Sequence, residues 1–218
     1  MAAEQTGSAR PKTRTRILAA CQNLFNDRGP AAVTTAEIAA AVEIQEGNLY
    51  YHFKRKEQII EALFGDFEQA LLAVAVADLA PGGKPERFAD CLSDWFNLIW
   101  EWRFFYRDGT TVCNLAPSLR LRIEALADQG QHHIRRSFDS MQSEGLLAAT
   151  PQQLDQLVVN SWIVSTYWID YLRSRHGINA IEREHISWGA SQVMSLLSSF
   201  LTPAGSAVVN IKAVQVGR

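Results

Sequence analysis

Cysteine is scarce in this 218-residue chain, which has three: Cys21, Cys91 and Cys113. An odd number with neither CxxC nor Cys/His ligand spacing argues against a disulfide framework and against a zinc centre. A reducing compartment, the cytoplasm, is the expected location. Long hydrophobic runs are missing as well. Although 47% of the residues are hydrophobic, no apolar stretch approaches the roughly 20 residues of a membrane span. The N-terminal stretch MAAEQTGSARPKTRTR carries no signal-like apolar segment either, so neither export nor a membrane partner is expected. Strand-type alternation, internal repeats and low-complexity segments are absent. So are phosphate-binding glycine loops, nucleophile elbows and the HExxH motif, and no cofactor or metal is expected. Histidine offers little: His132 and His133 are adjacent, about 100° apart on a helix, which suits solvent better than one shared metal. His176, beside Gly177, stands at a helix C-terminus, where the dipole favours a partly charged imidazole.

What is present is an uneven distribution of charge. The formal net charge is -2, yet residues 10–56 hold eight Lys/Arg against four acids, leaving 13 basic against 19 acidic residues elsewhere. A basic head on an acidic body suggests that the head meets an anion.

Periodicity reads as helix nearly everywhere, and the fold class is all-α. In TRTRILAACQNLFNDRG the residues Ile17, Ala20, Cys21, Leu24 and Phe25 share a face, with Cys21 as packing, and Gly29-Pro30 stops the helix. Thr34 and Thr35 can cap a short second helix, with Glu37 completing a capping box. A third short helix from about Gln45 carries Leu49 and Phe53 as its inward pair. A long helix runs from Lys56 to about Ala80 and is ended by PGGKP, Pro81 to Pro85. A fifth, with Phe88, Leu92, Trp95, Ile99, Trp102 and Tyr106 in register, is apolar all round and should be central. After RDGTTVCNLAPS a helix spans about Ser118 to Ser143, with Gly145 as its cap. Thr150 and Pro151 start the next, which runs to Gly177. The last covers about Ile181 to Leu201. The expected divisions are an arm at 1–10, a head at 11–56, a body at 57–201 and a tail at 202–218.

The stretch EGNLYYHFKRKEQII, Glu46 to Ile60, gathers polar and aromatic side chains on a short helix that follows another after a tight turn. That arrangement lets one helix enter a major groove while its predecessor lies against the backbone. Gly47 allows close approach, Asn48 can read a base edge, and Tyr50, Tyr51 and His52 reach phosphate or a thymine methyl. Lys54, Arg55 and Lys56 supply counter-charge. Residues Arg10 to Arg16 read equally as a disordered basic arm or as a phosphate-binding first turn.

The segment TTAEIAAAVEIQEGNLYYHFKRKEQII resembles the DNA-binding heads of the TetR/AcrR family of bacterial transcription regulators, over about residues 12–62. The resemblance implies about nine helices: a three-helix head containing a helix-turn-helix, and a C-terminal helical domain for effector binding and homodimerisation. It implies contact with double-stranded DNA at Thr35, Gln45, Gly47, Asn48, Tyr50, Tyr51 and His52, with Lys56 gripping phosphate; Thr34 and Lys54 complete the candidate DNA-binding set. The chain departs from the family pattern in three places. Glu43 occupies the usual glycine turn position and would take a left-handed conformation, Gln45-Glu46 replaces a common Ser-Pro start, and Ala36 stands where some members carry an arginine.

In the body, twelve aromatic residues from Trp95 to Tyr171 suggest a roomy apolar cavity. With the family's effector site in mind, Trp95, Ile99, Trp102, Asn160, Val164 and Tyr167 are the candidate lining. The candidate dimer interface is Leu154, Val158, Ser161, Ser165 and Trp168 with Gly189, Ala190, Val193 and Leu197. The expected function is a regulator, in the first instance a repressor, released from a palindromic operator by a bulky apolar small molecule. A ligand-indifferent DNA-binding dimer and an all-helical enzyme are the alternatives.

Overall fold

Apolar residues at helical spacing begin the ordered chain. Ile17, Leu18, Cys21 and Phe25 are buried along one face of helix α1, Thr13–Arg28, which stops at Gly29 with φ 81°. The computed structural model describes residues 12–78 and 87–208, without the side chains of 75–78, 87–91 and 208. The expected arm at 1–10, the PGGKP stop and the end of the tail lie outside the described residues.

Two short helices follow, α2 (Thr35–Ala41) and α3 (Glu46–His52). Thr34 begins α2 with the expected capping box: its hydroxyl accepts from the Glu37 amide, and the Glu37 carboxylate accepts from the Thr34 amide at 2.8 Å. A long helix, α4 (Lys56–Asp78), then leaves the head. The body comprises α5 (Arg87–Glu101), α6 (Arg103–Arg107), α7 (Gly109–Leu115), a 3-10 turn at Pro117–Leu119, α8 (Arg120–Ser143), α9 (Pro151–His176), α10 (Arg183–Leu197) and α11 (Pro203–Val208). Among the described residues there is no strand, only a single bridge between Leu147 and Leu201. The fold is all-α.

Among the described residues there are eleven α-helices, against about nine implied by the resemblance and three more than the eight that periodicity marks out. Two arise because the fifth helix does not continue to Tyr106: it breaks at Trp102, and α6 and α7 follow. The cause is Asn26, 75 residues earlier. Its amide nitrogen donates to the Glu101 carbonyl at 2.7 Å, and its carbonyl accepts from the Phe104 amide at 3.2 Å. Backbone groups freed by the break are therefore paired, as buried groups must be. Gln22 adds a second donor to the Glu101 carbonyl. The other extra helix, α11, lies in the tail. Gly205 is pressed against the Leu146 carbonyl, leaving no room for a Cβ, while Thr202 donates to the carbonyls of Gly145 and Leu146.

Helix ends in the body follow their local signals. Gly145 (φ 71°) ends α8 in a Schellman motif, with Leu146 N–H on Met141 O and Gly145 N–H on Gln142 O. Thr150 and Gln153 make a second capping box at the start of α9, and Gly177 (φ 68°) ends that helix.

Head and body share a core. One continuous cluster of buried residues runs from Ile17 and Phe25 in α1, through Leu49, Phe53 and Phe64, to Leu98, Trp102, Phe104 and Leu119. Phe25 meets Phe104 edge-on at 5.5 Å. Two further clusters fill the body, one between α8, α9 and α10, the other around Phe96, Trp168 and Leu172.

This packing corrects the expected dimer face. Leu154, Val158, Ser161, Ser165, Trp168, Gly189, Val193 and Leu197 are buried within the chain, and Ala190 is half-buried. The close approach that the small residues permit is internal: a Cβ on Gly189 would lie 2.7 Å from the Phe96 ring and 2.9 Å from that of Trp168. Helix α10 thus faces α9 and α5 of its own chain.

Candidate functional site

The short helix α3 divides its residues cleanly. Leu49 and Phe53 enter the core, while Gln45, Gly47, Asn48, Tyr50 and Tyr51 are exposed and His52 is half-buried. Nothing lies within 4 Å of a Cβ built on Gly47, so the backbone there is open to a close partner. Tyr51, 76% exposed, stands edge-on to His52 with ring centroids 5.3 Å apart. A large ring left this open on a folded surface suits a contact made elsewhere.

The turn into α3 is a tight one. Glu43 has φ 56°, the only positive value among the described non-glycine residues. Its amide bonds to the Ala40 carbonyl and that of Ile44 to the Ala39 carbonyl, a Schellman end at which glycine is the usual residue. A left-handed conformation in a residue with a Cβ costs about 1–2 kcal/mol. As expected, Gln45 provides no side-chain cap. Glu46 instead ties the two helices together: its carboxylate accepts from the Thr35 hydroxyl at 2.6 Å and from the Tyr50 hydroxyl at 3.3 Å, and those hydroxyls lie 3.2 Å apart. Thr35 and Tyr50 are thus held in place by an acid on the same face.

Several basic residues are placed differently from expectation. The Lys56 ammonium donates to the carbonyls of Pro30 and Val33, each at 2.7 Å, and burial lowers its pKa. It braces the α1–α2 loop, which leaves one of its three N–H groups for a phosphate. Arg16 donates to the Val42 carbonyl at 2.5 Å, and Arg14 lies 5.0 Å over the Phe53 ring. Both belong to helix α1, which favours a first turn over an arm at those two positions. Lys54 and Arg55 remain exposed, with Glu57 3.6 Å from Arg55. Thr34 is exposed but spends its hydroxyl on the cap. Arg28 completes that end of α2, bonding Glu37 at 2.8 Å and, together with the Thr34 bonds, holding the Glu37 carboxyl down at about 2.

The body contains a cavity of about 690 Å³ between α4, α7, α8 and α9. Phe64, Phe67, Trp95, Phe105, Tyr106, Trp162 and Tyr167 give it seven rings, and Thr111, Asn114, Thr166 and five charged residues give it polar groups. Of the six expected lining residues, Trp95 and Tyr167 are in the wall. Ile99 and Trp102 are buried in the neighbouring core, Val164 packs half-buried in the third cluster, and Asn160 is exposed on the outer side of α9. Helix α9 turns Trp162, Thr166, Asp170 and Arg173 to the cavity, a face one residue in phase from the one expected. Gly130 admits the Trp162 ring at close contact.

The cavity wall also forms the joint with the head. Arg107 donates to the carbonyls of Phe25 and Asn26 at 2.7 and 2.6 Å, placing a cation at the C-terminus of α1, where the helix dipole favours one. The same guanidinium binds Asp108. No local motif marks Arg107 or Asn26; their partners lie about eighty positions away in the chain.

Comparison with known proteins agrees along the chain. A family model described as bacterial regulatory proteins of the tetR family matches residues 17–63, and a second, described as TetR, bacterial transcriptional repressor, matches residues 66–209. The chain is 40% identical over 65 residues to the transcriptional repressor KstR2 of Mycolicibacterium smegmatis, covering 30% of this chain and 32% of that protein. It is 33% identical over 58 residues to the transcriptional regulator TtgR of Pseudomonas putida, covering 27% and 28%. The chain therefore spans about a third of the length of these curated relatives. Among solved structures, a TetR-family transcriptional regulator from Marinobacter aquaeolei VT8 superimposes with a TM-score of 0.81 at 30% identity, over 91% of this chain and 96% of that one. These relatives are transcriptional regulators, not enzymes.

Proposed function

This chain belongs to the TetR family of bacterial transcriptional repressors, and from that premise we propose that it binds an operator through α3 and is released by a small molecule held in the body. The observation that carries the reading is the division of α3. Leu49 and Phe53 anchor it, and Gly47, Asn48, Tyr50 and Tyr51 present an open backbone, an amide and two rings outward. Those are the groups that read base edges and phosphates in a major groove. Thr35 and Tyr50, pinned by Glu46, are positioned contacts.

Two copies would read a palindromic operator, each half-site taking one head. With the inner faces of α9 and α10 already packed, the outer face is the surface for pairing. Val159, Ile163 and Tyr171 are 47–49% exposed on it, and Tyr171 stacks on Trp188 of α10 at 5.8 Å. A change of Ile163 to aspartate should convert dimer to monomer by sedimentation.

The cavity, aromatic and polar-handled, suits a small-molecule effector. Because its wall includes the Arg107 latch on α1, a ligand that prefers a shifted latch would move the head by no more than its differential affinity for the two arrangements.

The test is binding of the purified protein to DNA flanking its own gene across a salt series. Specific binding that weakens steeply with salt and is lost in Tyr51→Ala supports the reading. Absence of specific binding both there and in a random-sequence selection would overturn it.

A further inference from the structure

The charged groups in the cavity wall do not balance. Arg107, Arg120 and Arg173 face Asp108 and Asp170. One oxygen of Asp108, Oδ2, accepts from two nitrogens of Arg107 at 2.9 and 2.6 Å. Arg107 in turn donates to the Phe25 and Asn26 carbonyls, so most of its bonding goes to the head and to Asp108. Asp170 stands 3.7 Å from Arg173, outside hydrogen-bond length. Burial, with the nearby Asp108 adding to it against Arg173, pushes the Asp170 carboxyl up. The Arg120 side chain is exposed and has no ion pair or hydrogen bond to the side chain or backbone of another described residue.

We propose that the cavity takes a bulky aromatic or polycyclic monocarboxylate, its ring system lying among Phe64, Phe67, Trp95 and Trp162 and its acid group drawn to Arg120 and Arg173. The inference rests on the cavity being the effector site proposed above. A guanidinium presents a planar fork to a carboxylate, and a partly enclosed site strengthens that bond. The volume, about 690 Å³, is that of a site for a drug-sized molecule and exceeds what a simple acid such as acetate would fill. A bulky amine fares worse: Asp108 is already paired through one oxygen with Arg107, and the surplus charge the amine would meet is of its own sign. Thr111 and Asn114 supply neutral hydrogen bonds that suit either and decide nothing.

The experiment uses three matched probes, naphthylacetate, its methyl ester and naphthylethylamine, titrated into the full chain by calorimetry, with tryptophan fluorescence as a second readout. The acid is expected to bind at least about tenfold tighter than the ester, and the amine to bind most weakly. In the Arg120→Met/Arg173→Met double variant the acid should fall to the level of the ester, with ester affinity unchanged, which also reports that the cavity is intact. Equal binding of ester and acid, tighter binding of the amine, no binding of any probe, or an acid preference that survives the double variant would each overturn the proposal. Release of operator DNA is measured in the same samples. An acid that binds through these arginines without releasing DNA leaves this inference standing and removes the effector reading instead.

Discussion

The head's α2–α3 pair and the body's α6–α7 pair are both made of short helices, but for different reasons. In the head each end is set by a neighbour in sequence: Thr34 with Glu37, Glu43 at the turn, Gly29 after α1. In the body the break at Trp102 is set by Asn26, and α6 is fastened by Arg107 to the end of α1. Nearby residues settle the reading surface, and distant ones settle the wall of the cavity.

The strongest way to break the comparison is to remove the fastening. Phe104→Ala, at a fully buried ring packed on Phe25, should cost about 3–5 kcal/mol and lower the stability of head and body together. Chemical denaturation followed by Tyr and Trp signals should give a single transition. Two separate transitions would show that the head does not depend on the body for its core.

Next in size is Lys56→Met. Loss of two bonds from an ammonium to backbone carbonyls should cost about 1.5–3 kcal/mol and loosen the loop between α1 and α2. A variant with unchanged stability and weakened DNA binding would return Lys56 to the role of phosphate grip.

Glu43→Gly works in the other direction. Relief of the left-handed strain, less the entropy that glycine loses on folding, should raise stability by up to about 1 kcal/mol, read as a higher denaturation midpoint.

The smallest effect belongs to Glu37. Its folded pKa lies near 2, below the ordinary 4.5, chiefly through Arg28 and then through Thr34. A depressed carboxyl contributes stability that is complete above its unfolded value and is lost as pH falls toward the folded one. The stability gap between the native chain and Glu37→Gln should therefore be constant near neutral pH and close between about pH 4.5 and 2. A gap that does not change with pH would mean that the capping geometry, not the charge, holds the start of α2.

How much of this was legible in the sequence follows the same division. The all-α class, the head helices and the outward face of α3 could be read from spacing and caps, since each depends on residues within a few positions, while the left-handed Glu43 came from the family resemblance. The α5–α6 break was not readable, because the apolar period continues through Trp102 and the residue that interrupts it is in α1. The dimer face was assigned to the buried side of α9 for a related reason. Its stripe of small and apolar residues matches either an internal or an external partner, and only the position of α10 and α5 decides which. The bracing role of Lys56 was hidden for chemical reasons: a lysine after a recognition helix looks like counter-charge alone until its carbonyl partners are seen. The cavity's charged residues, dispersed over α6 to α9, have no motif at all.

Cys21 lies fully buried on the inner face of α1, its thiol pushed up to about 12 by burial, with Lys56 pulling weakly the other way. At neutral pH almost none of it is thiolate, and thiolate is the form that alkylating reagents attack. The folded head therefore hides a chemical clock. The rate at which Cys21 becomes modified, followed on its own peptide by mass spectrometry, counts the openings of α1, and occupancy of the groove-facing side by DNA would slow the count without touching the sulfur.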